Sequence, residues 1–259
     1  MKKDTVRQIV NVVALLATIA INGLANALPL NGLTTGEISD RFDVYFVPAG
    51  YVFSIWGVIY LALAAFVIYQ ALPSQRENPR LRRLGYLFAL SCAANVAWLF
   101  LWHYEVFPLT IVAMGTLLLL LIAIYLRLGI GRTAASPAER WLVRLPFSIY
   151  LGWVTVATIA NVTSLLDYLQ WGGWGISPEM WAVIMLVAAT VITAAVTFTR
   201  GDIAYGLVIV WAFAGIGVKH AGTAVVSTAA WGATAAAALV TAVGAWYHQR
   251  HELSRSTAR

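Results

Sequence analysis

Three segments of the chain place tryptophan, tyrosine and asparagine at helical spacing inside long apolar runs. Phe53, Trp56 and Tyr60 recur at i, i+3 and i+7, so a helix presents all three on one face. Asn95, Trp98 and Trp102 repeat that spacing, and Tyr150, Trp153, Ala157 and Asn161 form a third stripe. An indole carries an N–H donor and an asparagine a full amide, and acyl chains satisfy neither. The stripes should therefore turn inward, either to bond one another across helices or to wall a cavity. A cavity lined with indole and phenol rings suits a large, flat, conjugated molecule oriented by a few polar groups.

Other chemistry lacks the residues it needs. The sequence holds no phosphate-cradling glycine loop, no nucleophile elbow and no paired carboxylates within its apolar runs. Without intramembrane Asp or Glu, a proton relay has no carriers. His103, Lys219 and His220 fall at the ends of apolar runs, where snorkelling to the membrane interface is the ordinary reading. A metal centre from His103, Glu105 and His220 would need two separate spans to meet, and no metal site is expected. The single cysteine, Cys92, lies inside an apolar run and reads as a small core hydrophobe.

The elements that must carry the stripes follow from composition. Of 259 residues, 61% are hydrophobic and only 11% charged, too few charges to coat a water-soluble globule. Mean hydropathy is +0.78. Eight apolar runs approach the length of about 20 residues that a spanning helix needs, at about 8–28, 50–72, 84–104, 107–127, 145–166, 180–199, 203–220 and 223–247. They are too long and too continuously apolar for the alternating strands of a barrel. The fold class is therefore an all-α membrane protein of about eight transmembrane helices. Counting eight crossings from a cytoplasmic N-terminus puts every Lys and Arg on the inner side except Arg41 and Lys219. That is the positive-inside pattern with both termini cytoplasmic. The net charge of +6 is explained by these short loops, so nucleic acid is not an expected partner; the bilayer is.

Tyr45, Tyr104, Trp141, Trp171, Trp174, Trp181, Trp246 and Tyr247 sit near span ends and read as an aromatic belt. Trp98, Trp153 and Trp211 lie deeper. The last span is rich in Ala and Gly, which lets helix backbones approach closely.

The three stripes resemble the TspO/translocator protein family, the tryptophan-rich sensory proteins. The second helix of that family carries Pro, Trp, Phe, Trp and Tyr in order. Here Pro48, Phe53, Trp56 and Tyr60 match, with Tyr51 in place of the first Trp. The Asn and Trp of its third helix are matched by Asn95 and Trp98. The Tyr, Trp, Ala and Asn of its fifth are matched by Tyr150, Trp153, Ala157 and Asn161. The resemblance implies a five-helix core over 1–166, three additional transmembrane helices over 167–247 and a cytoplasmic basic tail over 248–259. It also implies a bacterial inner-membrane location.

The resemblance further implies a porphyrin, haem-type tetrapyrrole or sterol-like ligand held in an aromatic pocket within the bundle, in a sensing or transport role. Trp56, Trp98 and Trp153 would hold the ligand's plane. Phe53 and Ala157 would share its wall, and Tyr60, Tyr150, Asn95 and Asn161 would orient it or brace the helices. Family members are often dimers, so a homodimer is a further expectation. Two other readings use the same residues. Light-dependent porphyrin breakdown would employ Trp56 and Trp153, and a structural subunit would dock a partner on its last three helices.

Overall fold

The computed structural model describes residues 2–28 and 30–257. Met1, Pro29, Ala258 and Arg259 lie outside the described residues, and with them the tip of the expected 248–259 tail. No strand occurs among the described residues. Eight long helices dominate: α1 (Lys2–Ala27), α2 (Ile55–Ala71), α3 (Leu87–His103), α4 (Phe107–Arg127), α5 (Leu145–Tyr168), α6 (Pro178–Arg200), α7 (Ile203–Lys219) and α8 (Ala224–Thr257).

Six are long and apolar enough to cross a membrane once α2 is counted with its entry turn, which extends it to Gly50–Ala71. The other two, α3 and α7, have 17 residues each. At about 1.5 Å per residue they reach roughly 25 Å, the short end of the spanning range. Both lie between longer partners. Helix α3 packs against α1 and α4, and α7 against α5, α6 and α8.

Local chemistry sets the breaks. Ser177 caps α6 by accepting from the Met180 amide, with Pro178 in the first turn. Gly201 ends α6 in the left-handed conformation (φ 63°), and Asp202 caps α7 by accepting from the Tyr205 amide at 3.1 Å. Two residues thus reverse the chain between α6 and α7. Helix α5 is entered through a Ser136–Glu139 capping box and one π turn, Arg140–Arg144.

The last three helices form a tight group. A Cβ on Gly244 would lie 2.7 Å from Thr197 Oγ1, one on Gly206 would collide with Thr241, and Thr197 Oγ1 donates to the Val240 carbonyl. These are close backbone approaches of the kind small residues permit in lipid. Helix α5 joins this group to the four long helices before it. A Cβ on its Gly152 would sit 3.1 Å from the Tyr205 carbonyl oxygen. Its Ser148 donates to Asp202 at 2.6 Å, as does Tyr125 at 2.8 Å from α4.

Polar links between loops sort into two sets. At one end Arg82 pairs with Asp4, Arg80 with Glu139, Arg127 bonds the Arg83 carbonyl and Arg200 the Ile130 carbonyl. At the other, Arg41 pairs with Glu105, Lys219 with Asp40, and Asn31 bonds the His103 carbonyl. No link in either set joins a loop of one predicted side to a loop of the other, as eight alternating crossings require.

Candidate functional site

The aromatic stripe of α2 is seated by α7. The amide of Ala49 bonds the Gly215 carbonyl at 3.1 Å, and Trp211 Nε1 donates to the Val52 carbonyl at 3.1 Å. A Cβ on Gly215 would collide with Val52, so only glycine lets the entry turn lie this close. That turn, Gly50–Ser54, carries Phe53 and delivers Trp56 to the first turn of α2.

Five of the nine residues expected at the site meet as one ring cluster between α2 and α5. Trp56 is its hub. It stacks on Tyr60 (centroids 5.5 Å, planes 24° apart) and meets Tyr150 at 5.9 Å and Trp153 at 6.3 Å, both edge-to-face. Phe53 meets Trp153 edge-to-face at 5.7 Å. Such pairs add about 0.5–1.5 kcal/mol each beyond area burial. Tyr150 and Trp153 are buried, while Phe53, Trp56 and Tyr60 are half-buried. Ala157, also half-buried, lies one helical turn past Trp153.

Hydrogen bonding within this cluster is incomplete. Trp153 Nε1 and Tyr60 Oη are buried atoms with no hydrogen-bond partner among the described residues. Buried donors of this kind usually find one, and an unsatisfied one costs about 1–3 kcal/mol.

The remaining expected residues brace helices. Asn22 of α1 donates to Asn95 Oδ1 at 2.9 Å, and Asn95 Nδ2 donates to Tyr150 Oη at 3.2 Å, so three helices share one chain of bonds. Trp98 Nε1 donates to Asn161 Oδ1 at 2.9 Å, and Asn161 Nδ2 donates to Thr110 Oγ1 of α4 at 2.8 Å. Trp98 stacks on Trp102 at 5.4 Å and does not join the Trp56 cluster. Asn22, Thr110, Trp211 and Gly215 were not among the expected site residues. Asn22 and Trp211 carried a signal, as an amide inside the first apolar run and an indole deep in the seventh.

One end-of-span expectation changes. His103 does not snorkel to an interface; it is fully buried, with Nδ1 3.1 Å from the Leu30 carbonyl oxygen and Nε2 3.0 Å from Thr35 Oγ1. The loop after α1 folds over it, and Arg41 there holds the Glu105 carboxyl below its ordinary range by a hydrogen bond and by its charge. Among the described residues no group of three or more His, Cys, Asp or Glu is arranged to hold a metal.

The family model for TSPO-like proteins matches residues 8–243. The chain belongs to the TSPO-like family. It is a multi-pass membrane protein, and the match to TSPO-like proteins takes in α6, α7 and the first part of α8 as well as the first five helices. No curated protein and no solved structure gives a significant match.

Proposed function

We propose that this TSPO-like protein binds a planar conjugated ligand, of the porphyrin or haem-type tetrapyrrole class, against the Trp56 cluster. The observation that carries the reading is the pair of buried, unpartnered polar atoms, Trp153 Nε1 and Tyr60 Oη, on rings that both touch the half-exposed Trp56. A flat ligand with acceptor atoms would stack on the indole and take up those donors, turning a cost of the free protein into affinity. Asn95, Trp98 and Asn161 then act by holding α3 and α4 against α5.

The role is sensing or transport in a bacterial inner membrane. Both termini are cytoplasmic by the Lys and Arg distribution. The chain works alone or as a homodimer, with the bilayer and the small hydrophobic ligand as its partners.

The test is titration of the detergent-solubilised protein with protoporphyrin, following indole quenching and the Soret band. A saturable signal that weakens in Trp153→Phe is expected. A linear response shared with an unrelated eight-span protein removes the reading.

A further inference from the structure

A second concave site lies on the other face of α5. A cavity of about 780 Å³ opens between α5 and α6 and is capped by the loop that joins them. Its wall includes Thr158, Val162 and Leu166. These lie five, nine and thirteen residues after Trp153, which at about 100° per residue is roughly half a turn from it. The cavity is therefore separate from the Trp56 cluster.

The cap is built from three tryptophans. Trp171, Trp174 and Trp181 line the cavity and contact one another with centroids 5.2, 5.2 and 6.0 Å apart. Trp181 Nε1 is tied to the Gly173 carbonyl at 2.9 Å. Trp174 adopts φ 54°, between Gly173 (φ 65°) and Gly175 (φ 79°). A bulky residue in the left-handed region is strained, so the loop spends stability to set these rings at the mouth.

The charge at the mouth is one-sided. Asp43 and Asp167 line the cavity and have no ion-pair partner among the described residues. Tyr45, also in the wall, donates to Glu179 at 3.2 Å. The cations at this end are already used, Arg41 by Glu105 and Lys219 by Asp40. His220 packs against the Tyr45 ring. An apolar cleft rimmed by indole faces and unpaired carboxylates favours positive charge on an apolar carrier and repels the anionic counterpart.

We propose that this cleft binds lipophilic organic cations, in which an ammonium or phosphonium centre is carried on an apolar body. The positive centre sits at the tryptophan faces within the field of Asp43 and Asp167. The body descends between α5 and α6 toward Met185.

The test uses the full chain in maltoside micelles, titrated calorimetrically with tetraphenylphosphonium and with its isosteric anion tetraphenylborate, after subtraction of empty micelles. Saturable phosphonium binding at least tenfold tighter than borate binding is expected. Asp43→Asn combined with Asp167→Asn, isosteric changes at an exposed and a half-buried position, should weaken it about tenfold, and Trp171→Ala should do so independently. Equal binding of the two ions, an unaffected double variant, or a co-purified phospholipid that phosphonium does not displace would each overturn the proposal.

Discussion

The two sides of α5 that meet α3 and α2 carry the same residue types in opposite hydrogen-bonding states. Toward α3 and α4, every polar group of the stripe is paired. Trp98 gives its N–H to Asn161, Asn161 gives its amide to Thr110, and Tyr150 accepts from Asn95. Toward α2, Trp153 Nε1 and Tyr60 Oη are equally buried and have no partner among the described residues. An indole in a bilayer is thus not by itself a sign of binding. The paired side is architecture, and the unpaired side is where a ligand has something to gain.

The comparison breaks most readily on the paired side. Asn161→Leu removes two bonds and strands the Trp98 N–H, so unfolding in mixed micelles should become easier by about 1–3 kcal/mol. The porphyrin affinity of the protein that remains folded should change little. If Asn161→Leu abolishes binding while stability holds, the division between the two sides is wrong.

Trp153→Phe should do the reverse. The smaller ring leaves some space, but an unpartnered donor is also removed, so stability should move by less than about 1 kcal/mol. Porphyrin affinity should fall about tenfold, equivalent to about 1.4 kcal/mol. Tyr60→Phe removes only a hydroxyl and should cost about threefold in the same titration, with no loss of stability.

The smallest effect is pH-dependent and belongs to the paired side. Arg41 lowers the pKa of Glu105, so this pair contributes stability above the ordinary carboxylate range and loses it as pH falls through the lowered value. Both side chains are well exposed, so the contribution is under about 1 kcal/mol and shrinks with salt. Acid unfolding should flatten in Glu105→Gln, and porphyrin binding near neutral pH should be indifferent to that change.

Much of this arrangement was legible in the sequence, for reasons that differ by element. The eight helices were readable because lipid demands long apolar runs and the basic loops mark every second turn. The stripes were readable as inward-facing because Asn95, Asn161, Trp98 and Trp153 each carry a polar group that lipid rejects. Which of them pair was not readable. Pairing depends on helix rotation and depth, and Trp98 meets Asn161 only because the two side chains reach one another at that level. His103 read as interfacial because it ends a span, and the fold of the 30–35 loop over it has no local signal. Gly215 looked like one more small residue, and its role depends on α7 lying against the entry turn of α2. Trp171, Trp174 and Trp181 have the composition of an interfacial belt, and only the left-handed loop between them gathers them over a cavity.

The most direct measurement is the indole ¹⁵N–¹H resonance of Trp153, assigned by its disappearance in Trp153→Phe and followed during protoporphyrin addition. A saturable downfield shift at that resonance, with the Trp98 resonance unmoved, is the predicted result. Porphyrin that binds while the Trp153 resonance stays fixed would contradict the claim that the unpartnered donor is what the ligand recognises.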